Sequence, residues 1–182
     1  YRTNMISGGF LNPDSIIANL NIQSGYKIAD FGSGSGYFTL IMARLVGENG
    51  VVSAVDVLQN KLDTVKTAAQ AQGLFNVNYV RGDLETAGGS GLADASQDMV
   101  MLANILFQSQ KKAEMVAEAG RVLKPGGDLV VIDWEPASSF GPKESGWKLS
   151  REEAKSLAGA GFSLVKEISV SSNHWGLLFR KK

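Results

Sequence analysis

Ile28-Ala29-Asp30-Phe31-Gly32-Ser33-Gly34-Ser35-Gly36, running straight on into Tyr37–Val46, is the stretch whose reading decides the fold of this 182-residue sequence. An apolar run that closes on an acid, then alternating glycines, then an apolar-periodic segment predict a strand, a tight turn and a helix. Glycines at 32, 34 and 36 let the backbone turn sharply and let a ligand lie against it with no Cβ between. The helix that opens there directs unpaired N–H groups and the positive end of its dipole at whatever is bound. Such a corner suits a nucleotide-like ligand carrying an anionic group.

Outward from that corner, the same punctuation repeats. A strand over 51–56 again ends on an acid, Asp56, and a helix over 60–72 stops at Gly73. A strand over 77–81 runs into Gly82-Asp83, residues 87–95 read as a glycine-rich loop, and a strand over 98–103 runs to Asn104. A helix over 111–123 is stopped by Lys124-Pro125-Gly126-Gly127, and a fifth strand covers 128–133. The long loop 134–149 holds Trp134, Glu135 and Trp147; Ser150 with Glu153 has capping-box spacing for a helix to about Ala160. Strands over 162–170 and 175–180, joined by Ser171-Ser172-Asn173, close the sequence. Before the corner, Asn12-Pro13-Asp14 opens a helix to about Leu20. Residues 1–10 read either as a frayed terminus or as a flap over the ligand.

Five strands separated by helices imply a mostly parallel sheet covered on both faces, with right-handed crossovers. The few residues between the last two strands permit only a hairpin. The expectation is an α/β three-layer sandwich around a seven-stranded sheet, mostly parallel, with an antiparallel C-terminal hairpin. One domain over 1–182 suits the length. Its 18 basic and 18 acidic residues balance, so no global field draws it to nucleic acid or an anionic membrane, and no nucleic-acid partner is expected. The absence of cysteine removes disulfides, thiolate metal sites and a cysteine nucleophile, and no metal is expected. With no membrane-length apolar run and no signal-peptide pattern, a cytoplasmic location is expected. Tyr1 is not an initiator methionine, which suggests a start inside a longer gene product.

Asp30, Asp56, Asp83 and Asn104 fall at or near the ends of successive strands, on the edge where ligands of such sheets bind. Asp56 lies where an acid can accept hydrogen bonds from two ribose hydroxyls, or it is a turn residue. The glycine pattern is not that of a dinucleotide site. Its third glycine comes one residue early, and Tyr37 stands where that pattern wants Gly or Ala.

The D-x-G-x-G-x-G arrangement of Asp30 to Gly36 resembles the first motif of class I S-adenosylmethionine-dependent methyltransferases, and the order of elements resembles their Rossmann-like sheet over nearly the whole chain. The Leu-Lys-Pro-Gly-Gly turn, the Gly161-Phe162 bend and the His174 region are similar to the compact ubiquinone/menaquinone-biosynthesis-like group. The resemblance implies S-adenosyl-L-methionine as cofactor and S-adenosyl-L-homocysteine as product. It implies a cofactor site of Asp30, Gly32, Ser33, Gly34, Gly36, Asp56, Val57, Gly82, Asp83, Leu84 and Asn104. Within it, Asp83 would meet the adenine amino group, with Leu84 and Val57-Leu58 on the two ring faces. Asp30 would sit near the methionine ammonium, or orient the glycine-turn amides; Asp83 has the alternative of a simple turn cap.

The activity implied is methyl transfer to a small-molecule acceptor, chiefly by positioning. His174, the lone histidine, is the candidate base, with a surface-turn histidine as the alternative. Trp134, Glu135 and Trp147 are expected on the substrate side, and the tryptophans read equally as packing anchors. Arsenite methyltransferases share this core but hold the metalloid with cysteines, which this chain lacks. The acceptor and the oligomeric state are not legible. RNA or protein methylation, a non-catalytic binding module and, last, an NAD dehydrogenase are the competing readings.

Overall fold

The computed structural model describes residues 11–143 and 147–182, so the expected flap over residues 1–10 lies outside the described residues. Its elements are α1 (Pro13–Ile17), β1 (Lys27–Phe31), α2 (Tyr37–Val46), β2 (Val51–Asp56), α3 (Gln59–Ala71) and β3 (Val77–Arg81). Then follow β4 (Gln97–Ala103), α4 (Lys112–Val122), β5 (Leu123–Trp134), α5 (Arg151–Ala158), β6 (Phe162–Ser171) and β7 (His174–Lys181). All seven strands form one sheet in the order β3-β2-β1-β4-β5-β7-β6. The first five pair in parallel, and β7 runs antiparallel to both β5 and β6.

Alternate strand residues point to opposite faces, and each face has its own apolar layer. Ile28, Val52, Met99 and Val130 pack beneath α1, α2 and α3. Ala29, Phe31, Val100 and Val131 pack on the other side against α4 and α5. Side chains as large as Phe31, Met42 and Met101 are fully buried, each contributing about 1.5–3 kcal/mol. The strand order reverses between β1 and β4, which opens a crevice where the chain leaves their carboxyl ends.

Two local expectations are corrected. α1 ends at Ile17, short of Leu20, because the Asn19 side-chain amide takes the Ser15 carbonyl at 2.7 Å, a bond that continued helix would have used. Lys124-Pro125-Gly126-Gly127 is an excursion inside β5 rather than a turn before it: Leu123 already pairs with Gln97, and pairing resumes at Asp128 with Met99. The loop expected over 87–95 is found: β3 and β4 are joined without a helix, residues 82–96 crossing over as a chain of turns in keeping with their glycines and lack of apolar period. Among the described residues no helix is long and apolar enough to cross a membrane.

Candidate active site

Two adjoining cavities open at the carboxyl ends of the parallel strands, and Gly32 lines both. The first, of about 510 Å³, has Asp30, Ser33, Asn104, Trp134 and His174 in its wall, with Tyr37 and Phe38 of α2 and Leu11 and Pro13 at its rim. The second, of about 420 Å³, lies between Asp56-Val57-Leu58 after β2 and Asp83-Leu84-Glu85 after β3, with Ile105, Gln108, Ser109 and Met115 opposite. Gly34, Gly36 and Gly82 line neither cavity; they shape the turns that do. Sequence reading missed Ile105 and Gln108, which directly follow the β4 end, and Met115, whose place on α4 carries no local signal.

The amides of the glycine turn itself are engaged within the chain, whereas the expectation of unpaired N–H groups concerned the first turn of α2. Gly32 and Ser33 both donate to the Val55 carbonyl, at 2.8 and 3.1 Å, and Gly36 donates to the Ser33 carbonyl at 2.8 Å. Gly34 donates to Asp56 Oδ2 at 3.0 Å, so Asp56, rather than Asp30, orients the turn. Two of the glycines answer to packing. A Cβ on Gly32 would lie 2.0 Å from Ile105 Cδ1, and one on Gly36 would lie 2.9 Å from both γ-carbons of Val65. Both have φ near +73° and +82°, where side chains are strained. Around Gly34, by contrast, a Cβ would come within 4 Å only of the Gly32 carbonyl oxygen, which leaves that face open.

Asp30 turns its carboxylate to the Thr39 hydroxyl and amide at the start of α2. Burial pushes its pKa up to about 6 against the pull of those bonds. Ser33 Oγ and Asn104 Oδ1 are buried with no partner among the described residues, which leaves both able to meet a ligand in the cavity. Asn104 holds φ +53°, an uncommon conformation for a side-chain-bearing residue, at the end of β4.

In the second cavity Asp56 Oδ1 also accepts from Leu58 N at 2.9 Å. Asp83 Oδ1 accepts from Glu85 N at 3.0 Å and Oδ2 from Thr86 Oγ1 at 3.3 Å. Asp83 is therefore a turn cap, and each oxygen retains acceptor capacity towards the cavity. Val57 and Leu58 stand half-exposed, whereas Leu84 is buried in the facing wall.

On the first cavity's far side, β7 starts at His174, opposite Trp134. The imidazole is buried, not a surface-turn group, and lies 4.0 Å from the indole ring. Asn104 Nδ2 approaches Nε2 at 3.4 Å; an amide nitrogen only donates, so Nδ1 carries the ring proton and donates to Ser171 Oγ at 3.0 Å. Burial lowers the imidazole pKa to about 4. Trp134 packs on its other side against the loop, where a Cβ on Gly141 would fall 2.4 Å from the indole.

Two of the residues expected on the substrate side are elsewhere. Glu135 turns away into a two-pronged ion pair with Arg151 of α5, at 2.9 and 3.0 Å. Trp147 is exposed and is not among the described residues lining either cavity. A buried carboxylate, Asp133, instead ties β5 to the turn at 106–108, accepting from Phe107 N at 3.1 Å and Trp134 N at 2.7 Å. No cluster of potential metal ligands occurs among the described residues.

Comparison with known proteins places this geometry. A family model described as a methyltransferase domain matches residues 22–178. The chain is 34% identical over 116 residues to an arsenite methyltransferase of Aquipseudomonas alcaligenes, covering 62% of this chain and 34% of that protein. It is 31% identical over 125 residues to the ubiquinone/menaquinone biosynthesis C-methyltransferase UbiE of Psychromonas ingrahamii, covering 65% of this chain and 49% of that protein. The aligned part of this chain thus spans only a third to a half of these relatives' length. In fold it is similar to a crystal structure of a SAM-dependent methyltransferase from Aquifex aeolicus, with a TM-score of 0.83 at 22% identity, over 94% of this chain and 90% of that one. With most of its length matched by that family model, the chain belongs to the class I S-adenosylmethionine-dependent methyltransferases, whose cofactor is S-adenosylmethionine.

Proposed function

We propose that the chain transfers the S-adenosylmethionine methyl group to a small-molecule acceptor, with the nucleoside in the second cavity and the methionine and acceptor in the first. The observation that carries the reading is the joining of the two cavities at Gly32, one lined by polar strand ends and half-exposed aliphatic groups, the other by aromatic rings and orphaned polar atoms. The residues present fit the cofactor. Val57 and Leu58 offer apolar surface to one face of a purine and Leu84 to the other. Asp83 has acceptor capacity for an exocyclic amine, and Asp56 for ribose hydroxyls. Ser33 Oγ and Asn104 Oδ1 can meet the amino-acid end. A pyrophosphate would want free amides at the glycine turn, and those of 32, 33, 34 and 36 are already engaged, which favours this cofactor over NAD.

The bound cofactor supplies an activated methyl group with a neutral thioether as leaving group. The protein's task is to hold an acceptor atom in line, an effect that can contribute about 7–11 kcal/mol. Trp134, Tyr37 and Phe38 wall the acceptor, and the neutral His174 ring stands in the same wall with its Nε2 accepting from Asn104 Nδ2, so that it acts on the acceptor by holding the Asn104 amide in place. With its pKa near 4, His174 stays unprotonated at neutral pH and positions the acceptor more than it stores a proton. Without cysteine, this chain offers no thiolate for arsenic, so the likeness to arsenite methyltransferases is read as likeness of the cofactor half.

The test is calorimetry with S-adenosylhomocysteine and with NAD, followed by methyl-transfer assays over panels of small acceptors, RNA and protein. Binding of the homocysteine nucleoside with turnover on small acceptors is expected. Preference for NAD, or turnover on RNA or protein alone, would overturn the reading; binding with no turnover on any panel would leave a cofactor-binding module.

A further inference from the structure

Glu118, on α4, lies outside both cavities and is buried to 2% exposure. Its carboxylate accepts from three donors of the loop between β3 and β4: Gly88 N at 2.9 Å, Ser90 N at 3.0 Å and Ser90 Oγ at 2.5 Å. Arg121 holds it from the other side through Nε at 2.9 Å and Nη2 at 2.7 Å. Burial alone would raise its pKa, but Arg121, Ser90 and Gly88 together bring it down to about 2, so the group is a permanent anion.

What it anchors leads directly to the second cavity. Gly89 donates to the Thr86 carbonyl at 2.9 Å, Thr86 N donates to the Asp83 carbonyl at 3.2 Å, and Thr86 Oγ1 donates to the Asp83 carboxylate. The loop also packs backbone on backbone against the strand end. A Cβ on Gly82 would fall 2.3 Å from the Gly89 carbonyl oxygen, and one on Gly89 would fall 1.8 Å from that of Asp83. No side chain cushions this contact, so a shift of the loop is passed on to Asp83 (compare).

We infer that Glu118 is a positioning residue for base recognition: by pinning the amides of Gly88 and Ser90 it fixes the Asp83 carboxylate where it can distinguish a purine bearing a 6-amino group from one bearing a 6-oxo group. The inference rests on the placement of the nucleoside proposed above. A site aimed at an N–H rejects an analogue lacking it far more strongly than a loosely aimed one.

The experiment compares the Kd of S-adenosylhomocysteine with that of its 6-oxo analogue, S-inosylhomocysteine, in the native chain and in Asp83→Ala, Glu118→Gln and Ser90→Ala. The native chain is expected to prefer the adenosyl compound by about 30-fold or more. Asp83→Ala should bring the ratio close to one, and Glu118→Gln should cut it at least fivefold, by weakening the adenosyl compound more than the inosyl. Ser90→Ala removes one of the three loop donors to the carboxylate, together with the hydroxyl that accepts from Leu92 N and Arg121 Nη2, but keeps the carboxylate, so it reports even if Glu118→Gln fails to fold; a twofold to fivefold loss is expected. A merely structural role would lower thermal stability and weaken both ligands equally, with the ratio unchanged in Glu118→Gln and Ser90→Ala; that result, with Asp83→Ala still flattening the ratio, overturns the inference alone. A native ratio near one, or one untouched by Asp83→Ala, instead overturns the underlying placement of the base.

Discussion

The proposed nucleoside half and the proposed acceptor half of the site are built on different plans. In the nucleoside half, Asp56 and Asp83 bond to amides two residues on, and these turns are tied to their neighbours by Gly34 N on Asp56 across 22 residues and Ser109 Oγ on Glu85 across 24. In the acceptor half, contacts join parts far apart in sequence: Asn104 to His174 across 70 residues, Ser138 Oγ to Asn173 Oδ1 across 35, Trp175 Nε1 to the Leu149 carbonyl across 26. Acids set by their own turns, on strands that pair with one another, make a fixed holder for an invariant ligand. A half assembled from a loop, a hairpin and α1 can be altered piece by piece, so acceptor choice can drift while cofactor binding persists.

The largest effect is expected at the glycine turn that shapes both cavities. Gly36→Ala places a Cβ against Val65 at φ +82° and should cost about 2–4 kcal/mol of stability, from the strained backbone and overpacking together. Adding Val65→Ala should recover only the packing part, read by denaturant melts. A recovery to native stability would show that backbone conformation is not the constraint. Next, Trp134→Ala removes the ring between His174 and the loop, and should reduce methyl-transfer kcat/KM about tenfold or more while S-adenosylhomocysteine affinity changes less than threefold. An equal loss of both would erase the distinction between the halves.

His174 sharpens the comparison through pH. Its folded pKa near 4 lies below the ordinary 6.5, so the native state binds fewer protons than the unfolded chain between those values. Its contribution to stability is full above pH 6.5 and is lost as pH falls towards 4. Asp30 and Asp133, each raised to about 6, act in the opposite sense: stability tied to their neutral forms is present below the unfolded value near 3.8 and lost as pH rises through 6. The difference between native and His174→Gln melts isolates the histidine. The native protein should lose stability relative to the variant as pH drops from 6.5 to 4, with imidazole NMR signals neutral until about pH 4. An imidazole that titrates near 6.5 would contradict its burial. The smallest effect is expected at α5, where Ser150→Ala breaks the capping box with Glu153 and should cost about 1 kcal/mol in thermal melts with cofactor affinity unchanged.

The plan of each half also explains what the sequence could reveal. Asp56 and Asp83 could be picked out because they lie at or just past strand ends, which the apolar runs locate, whereas Val57 and Leu84 came only with the family resemblance. The hairpin was legible because Ser171-Ser172-Asn173 is too short for a crossover. Glu135 was expected beside the substrate for the same reason of proximity, yet Arg151, sixteen residues on, claims its carboxylate; such a pairing leaves no trace in local pattern. The engagement of the glycine-turn amides by Val55 and Asp56 was equally hidden, since it depends on register between β1 and β2. Lys124 to Gly127 read as a stop before a strand because their chemistry is that of a breaker, but pairing of Leu123 with Gln97 carries the sheet past them.

The proposed site has a fixed nucleoside half and a separable acceptor half. Calorimetric titration of S-adenosylhomocysteine into Asp56→Ala, beside the native chain and Trp134→Ala, tests it most directly. The account predicts affinity lowered about 100-fold or more by Asp56→Ala, as removal of charged hydrogen bonds implies, and left within threefold by Trp134→Ala. Native-like binding by Asp56→Ala would contradict it.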